Sequence, residues 1–148
     1  MELHLPGNDD GQASMRMHDS GSWQGAASMQ SHCCRVSTID AYAAGFPKLD
    51  FVKCDVEGAE LLVAKGGAET LRRLSPILFM EINPAWTKAF GYTPNDLVMR
   101  LRECGYDAFF LAGEKLVPLE SVEVAKSANL LCAKMKFHEE RLHGLKGI

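Results

Sequence analysis

An apolar run that ends in acids and a glycine, and then turns helical, constrains this chain more than any other feature. The run is residues 49–60, LDFVKCDVEGAE. Phe51 and Val52 favour a β-strand, whereas the segment 59–64 favours a helix. In open α/β folds, ligands bind in the crevice at the carboxyl ends of the strands. The acids of this run are therefore expected at the rim of an enzyme site.

Three carboxylates are the predicted catalytic residues. Asp55 and Glu57 follow a strand predicted over 50–54, and Glu81 lies near the end of a second strand, predicted over 76–82. The roughly twenty residues between the strands exceed the dozen that a parallel crossover needs, and such a βαβ unit is right-handed. Neighbouring strands lie about 4.8 Å apart, so the acids at their ends should face one crevice. A carboxylate there can take a proton from a hydroxyl, orient that hydroxyl, or hold a divalent cation.

The residues around these acids are the predicted substrate-binding set: Glu60, Asn83 and Trp86. Glu60 follows Glu57 by three positions on one helical face, Asn83 offers an amide, and Trp86 lies in a predicted loop that would overhang the site. Structural alternatives stay open for each. An acid after a strand can favour a helix N-terminus, Glu60 can be solvated or salt-bridged, and Trp86 can pack against a helix. Gly58 is expected to permit tight entry into the helix, where a larger side chain would crowd the crevice.

Composition narrows the class of protein. A chain of 148 residues suits one domain with a sizeable core. Its net charge of −3 gives no footprint for nucleic acid or an anionic membrane. No apolar run approaches the ~20 residues of a membrane span, and no signal peptide is recognised at the N-terminus. We therefore predict a cytoplasmic protein with neither nucleic-acid nor membrane partners.

The cysteines and histidines predict no metal site. No pair of the five cysteines has the spacing of a zinc or redox motif, and Cys54, Cys104 and Cys132 sit among apolar residues as expected core positions. The histidines lack ligand spacing. His18, beside a possible N-terminal site, is more simply a surface residue, and His138 and His143 are expected to be exposed. No GxGxxG or phosphate-loop motif occurs, so the cofactor-binding residues are unknown.

The coarse organisation is an α/β domain with an irregular beginning. An N-terminal β-hairpin region is predicted around a turn cluster at 7–11, which separates segments containing Leu3 and Met15. A second turn-like, flexible stretch is expected at 21–25, a returning strand over 28–36 and a further turn at 113–115. A helix starting at Thr93 and Pro94 should run to Gly105. Further predicted elements are a short helix over 40–44, helices over 59–65 and 68–74, and strands over 106–111 and 129–133. We predict a single domain over 1–134 and a charged tail over 135–148, either a solvated helix or disordered.

Several segments in this order also resemble one enzyme family. They are KCDVEGAE at 53–60, KGGA at 65–68 and PILFME at 76–81, flanked by TID at 38–40 and GY at 105–106. Over residues 36–133 the chain resembles the FkbM family of S-adenosylmethionine-dependent methyltransferases. The resemblance implies a partial Rossmann-like sheet of the class I methyltransferase type, mostly parallel with an antiparallel final strand. It also implies methyl transfer from S-adenosylmethionine to a hydroxyl of a small molecule or glycan, with Asp55, Glu57 and Glu81 matching the family motif.

One departure from the family pattern concerns the cofactor. A complete member would carry, before this segment, a strand with a glycine-rich turn and an acid after the next strand. The sequence contains neither, so we expect an incomplete methyltransferase-like domain that binds S-adenosylmethionine weakly or not at all. Two alternatives remain open: a non-catalytic remnant or interaction module of the same fold, and a metal-dependent hydrolase using the same three acids. The hydrolase would need further ligands, such as spaced histidines.

Overall fold

The computed structural model of this protein describes residues 1–7, 11–19, 23–113, 115–119 and 127–143. The strands in these ranges are β1 (Glu2–Pro6), β2 (Met29–Cys33), β3 (Phe51–Cys54), β4 (Ile77–Ile82), β5 (Ala108–Ala112), β6 (Leu116–Pro118) and β7 (Ala128–Ala133). The helices are α1 (Ile39–Tyr42), α2 (Glu60–Gly66), α3 (Ala68–Leu74), α4 (Pro84–Ala89), α5 (Pro94–Glu103) and α6 (Met135–His143).

Five strands form the main sheet in the order β3-β4-β7-β5-β6. β3 and β4 are parallel, whereas the pairs β4–β7, β7–β5 and β5–β6 are antiparallel. The predicted antiparallel final strand is confirmed as β7, but the prediction of a mostly parallel sheet is wrong. The reason is the insertion of β7 between β4 and β5, which run in the same direction. That insertion replaces one possible parallel pair with two antiparallel pairs.

The parallel pair carries the predicted βα elements. The register joins Phe51 to Ile77 and Cys54 to Met80, and α2 and α3 connect the two strands. The helix break expected at Gly66 and Gly67 falls between α2 and α3. A Cβ on Gly67 would lie 3.2 Å from the Cβ of Ile39, so the break also lets α1 pack closely. β3 pairs only with β4 among the described strands and is an edge strand of this sheet.

The N-terminal region forms a separate two-stranded antiparallel sheet. Its register runs from Glu2 opposite Cys33 to Pro6 opposite Met29. The predicted hairpin region is therefore present, but the partner of β1 is the returning strand. The segment near Met15 contributes only a bridge between His4 and Ser14. Parts of the predicted turns, at 8–10, 21–22 and 114, lie outside the described residues.

The main sheet is packed on both faces. Leu130 and Cys132 of β7 belong to the larger core with α2 and α5, whereas Leu131 and Ala133 belong to a smaller core with Leu142 of α6. Successive side chains of a strand point to opposite faces, which explains this division. The prediction of buried Cys54, Cys104 and Cys132 is confirmed.

The C-terminal segment is a docked helix. His138 and Leu142, one turn apart on α6, are buried at 3% and 0% exposure. The expected solvated or disordered tail is thus wrong for 135–143, as is the expected exposure of His138. The segment is rich in charged residues, but one side of the helix forms a buried stripe. The division into 1–134 and 135–148 stays a prediction.

Candidate functional site

The carboxyl ends of the parallel strands bring two of the predicted acids together. Cys54 is opposite Met80 in the register, so Asp55 and Glu81 are the next residues along each strand. The two carboxyl groups are close enough for Asp55 to raise the pKa of Glu81. Ser127 Oγ donates a hydrogen bond of 3.5 Å to Glu81 Oε1. The rim expected from the sequence therefore holds a carboxyl pair.

The surroundings of this pair shift the pKa of Glu81 upward. Partial burial raises the pKa of Glu81, and the negative charge and hydrogen bond of Asp55 raise it further. Lys53 Nζ donates to Asp55 Oδ2 at 2.5 Å, and this bond raises the pKa of Lys53. Two neighbouring carboxyls resist ionising together, whereas an adjacent ammonium favours the charged form.

Glu57 lies in the turn between β3 and α2 in an unusual backbone conformation. Its φ is +52°, and the φ of Gly58 is +94°. A non-glycine residue with positive φ is strained, and such strain concentrates at functional sites. The carbonyl of Glu57 accepts a hydrogen bond of 3.0 Å from Ser14 Oγ. The turn is thereby tied to the N-terminal segment.

Gly58 is required by a close approach of α4. A Cβ built at this position would lie 2.9 Å from the backbone carbon and oxygen of Trp86. Backbone atoms cannot move aside cheaply, so the expectation that a larger side chain would crowd this site is confirmed.

Glu60 is buried rather than solvated. It is only 1% exposed, which rules out the solvated alternative. Oε1 accepts from the Gly58 N–H at 3.1 Å, and Oε2 accepts from the Tyr92 hydroxyl at 2.9 Å. Burial, followed by the charge of Glu60, raises the pKa of Cys54 to about 12. Both carboxylate oxygens of Glu60 therefore already accept hydrogen bonds from this chain. Its substrate-binding role stays a prediction.

Asn83 and Trp86 belong to a helix where the sequence predicted a loop. Asn83 Oδ1 accepts from the Ala85 N–H at 3.1 Å and caps α4, and Pro84 occupies the first helical turn. An N-cap with proline directly after it is a known helix start, so the loop prediction is wrong for a local reason. Trp86 is buried against His18, with ring centroids 5.3 Å apart. The substrate-binding roles of both residues remain predictions.

An aromatic cluster beside the turn was missed at the sequence level. His18, expected at the surface, is buried at 9% exposure, and its ring contacts Trp23 and Trp86. His18 Nε2 lies 3.0 Å from Ser14 Oγ. Burial lowers the pKa of His18, partly offset by a hydrogen bond to the Glu57 carbonyl. No periodic pattern could have revealed this cluster, because it depends on contacts between distant parts of the chain.

The fold and the acid pair thus describe an α/β domain with a polar site at its carboxyl edge. The model of the methyltransferase FkbM domain matches residues 2–108, well over half of the chain. The chain therefore belongs to the FkbM methyltransferase domain family. The match includes the N-terminal sheet, which lies outside the resemblance drawn over 36–133. No curated protein and no solved structure matches the chain.

The metal-dependent hydrolase alternative gains no support. Within the described ranges, no group of three or more His, Cys, Asp or Glu side chains is placed to hold a metal ion. The metal-dependent hydrolase alternative therefore has no structural basis there. Among the same residues, no helix combines the length and apolar character that a bilayer crossing requires.

Proposed function

We propose that this chain supplies the acceptor side of an FkbM-type O-methyltransferase, in which the Asp55–Glu81 pair orients an acceptor hydroxyl and removes its proton. The pair of neighbouring carboxyls at the ends of parallel strands carries this proposal. Family membership supports the reaction class. The acceptor would be a small molecule or a glycan.

Asp55 and Glu81 have different roles in the proposed reaction. Asp55, paired with Lys53, is the group that accepts the hydroxyl proton. Glu81, at the end of the neighbouring strand, orients the acceptor hydroxyl. A hydroxyl held in line in this way needs little further reorganisation, so positioning supplies much of the rate.

The sheet topology supports a Rossmann-like architecture for this domain. β3, β4 and β5 run in one direction, and an antiparallel β7 is inserted beside β5. This is the pattern that the family resemblance implies for the last strand. The acids then occupy the edge where such folds bind ligands.

The family implies S-adenosylmethionine as methyl donor, but the described residues do not form a complete binding site for it. A nucleotide cradle needs glycines that leave room for the ligand. The Cβ position of Gly58 is filled by the Trp86 backbone, and that of Gly67 by Ile39. Both glycines therefore serve packing within the chain. We expect weak or absent binding of S-adenosylmethionine, and micromolar affinity in calorimetry would contradict this expectation.

A transfer assay tests the acceptor-side proposal. Tritiated S-adenosylmethionine is supplied in large excess, to overcome weak binding, with a panel of hydroxyl-bearing acceptors. Asp55→Asn should lower transfer by about a hundredfold, in the range that general-base catalysis contributes. Asp50→Asn is the matched control, because Asp50 lies just before the other end of β3 and pairs with Lys48 and Arg141.

The outcomes separate the alternatives. Loss of transfer in Asp55→Asn, with Asp50→Asn like the wild type, supports the proposal. Equal transfer in the wild type and Asp55→Asn removes Asp55 from the mechanism. No transfer by the wild type to any acceptor favours the non-catalytic module.

A further inference from the structure

The aromatic cluster around His18 contains two buried polar atoms without a hydrogen-bond partner in the described structure. They are His18 Nδ1 and Trp23 Nε1. Both residues are at least nine-tenths buried. Buried polar groups are normally satisfied, so each such atom needs an explanation. The two rings are in edge-to-face contact, with centroids 5.2 Å apart.

The tautomer of His18 gives the two atoms opposite roles. Nε2 lies 3.0 Å from Ser14 Oγ, and the Ser14 hydroxyl donates its own hydrogen to the Glu57 carbonyl. Ser14 Oγ therefore accepts from the ring, so the ring hydrogen belongs on Nε2 and Nδ1 is an acceptor. An indole N–H is only a donor. A hydroxyl both donates and accepts, and it is therefore the group that complements this pair.

The surroundings suit a ligand with apolar C–H faces. Trp86 and Phe90 lie against the same imidazole, at centroid distances of 5.3 and 6.3 Å. His18 also lines a cleft of about 320 Å³, together with Met17, Asp19 and Lys88. A volume of that order is at the lower end of small-molecule sites.

We propose that His18 and Trp23 bind a hydroxyl of a polyol or carbohydrate, with His18 Nδ1 accepting from it and Trp23 Nε1 donating to it. The inference rests on the proposed function for the identity of this ligand as the methyl acceptor. The reacting hydroxyl belongs at Asp55 and Glu81, so a ligand that reaches both places carries at least two hydroxyls. The Ser14 hydroxyl, bonded to the Glu57 carbonyl, connects the two places through one turn.

The chain provides its own reporter for this binding. Its two tryptophans, Trp23 and Trp86, both contact His18. Intrinsic tryptophan fluorescence is recorded while methyl glucoside, methyl galactoside or inositol is added, without S-adenosylmethionine. Tetrahydropyran, a sugar-like ring without hydroxyls, is the matched probe. His18→Phe keeps a ring and removes the acceptor, and His143→Phe, on the exposed side of α6, is the control.

The proposal predicts a saturable fluorescence change with at least one polyol and none with tetrahydropyran. His18→Phe should weaken the apparent Kd at least tenfold, and His143→Phe should leave it unchanged. If His18→Phe does not fold by circular dichroism, Trp23→Phe replaces it, with Trp86 as the reporter. That variant removes the N–H and should weaken binding in the same way.

Other results would overturn the proposal. Unchanged fluorescence with every polyol up to about 0.1 M, which would detect even millimolar affinity, assigns the two atoms to a buried water only. Equal affinity in the wild type and the His18 and Trp23 variants places any binding elsewhere. Saturable binding without methyl transfer supports this site while counting against the proposed function, so the two failures are distinguishable.

Discussion

The two ends of the parallel strands β3 and β4 use polar residues in opposite ways. The end where these strands begin is the amino edge of the sheet, and the end where they stop is the carboxyl edge. At the amino edge, Lys134 Nζ donates to the Leu71 carbonyl and to Ser75 Oγ, and it lies 5.0 Å from the centre of the Tyr106 ring. Both ring nitrogens of His138 bond the backbone. At the carboxyl edge, the Asp55 carboxylate raises the pKa of the neighbouring Glu81, and an imidazole nitrogen has no partner in the described chain.

The difference separates stability from function. Polar groups at the amino edge close the C-terminus of α3 and attach α6, and a buried lysine of this kind serves as a cap. At the carboxyl edge, Asp55 and Glu81 keep like charges together, and such an arrangement costs stability and persists where a ligand uses it. Glu57 at this edge and Ser75 at the amino edge are both in the left-handed region, so backbone strain does not distinguish the two edges. The predictions below, in order of expected size, test this contrast.

Gly58→Ala should have the largest effect on folding. The new Cβ meets the Trp86 backbone at 2.9 Å in a conformation with positive φ, so we expect a loss of about 3 kcal/mol or more. Gly91→Ala is the matched control, because its φ of +75° is similar and nothing lies within 4 Å. It should lose about 1 kcal/mol by urea denaturation. Equal losses would show that the approach of α4 to the turn is not tight.

Lys134→Met should destabilise the amino edge by about 2–3 kcal/mol. The substitution keeps much of the buried stem and leaves the Leu71 carbonyl and the Ser75 hydroxyl without their donor. Lys136→Met, two residues along and exposed, should change the free energy of unfolding by less than about 0.5 kcal/mol. A Lys134→Met protein as stable as the wild type would contradict the capping role.

The His138 imidazole should make the amino edge sensitive to acid. Burial, assisted by Arg141 and Lys134, lowers the pKa of His138 below its ordinary 6.5. The unfolded chain then takes up the proton first, so stability is lost as the pH falls from 6.5 towards the folded pKa. The change should be on the order of 1 kcal/mol, measured by urea unfolding at several pH values. His143→Gln should retain this dependence, and a flat profile in the wild type would contradict it.

Glu81 should give the carboxyl edge the opposite dependence. Its pKa is raised above the ordinary 4.5, so its contribution is present below that value and is lost as the pH rises through the folded pKa. The pair is partly exposed, and the effect should stay within about 1 kcal/mol. Glu81→Gln should abolish this component and leave the His138 component intact. If the free energy of unfolding of Glu81→Gln depends on acid pH as that of the wild type does, the proposed difference between the two edges is contradicted.

The local elements were predictable because their causes lie close in sequence. The strand before Asp55 and the helix after it follow from side-chain preference over a few residues. The helix start at Thr93 has both halves of a capping box with Asp96, as the sequence indicated. A second such start, Asn83 with Pro84, was present and was interpreted as a loop.

The strand order of the sheet and the burial of Glu60 and His18 could not be predicted from neighbouring residues. The position of β7 depends on which strands meet in space, and no short motif encodes that choice. Glu60 looked like a surface acid, but the Tyr92 hydroxyl, 32 residues away, holds it inside. His18 likewise depends on Trp23 and Trp86, so its burial follows only from the folded structure. The acids at the rim were predictable because parallel strands align their ends.

The most direct test of the account is the titration of the carboxyl groups of Asp55 and Glu81 by carbon-detected NMR. Coupling between them predicts that Glu81 titrates above its ordinary value and moves down when Asp55 is replaced by Asn. Glu81 titrating at its ordinary value, or unaffected by Asp55→Asn, would contradict a shared site at this edge.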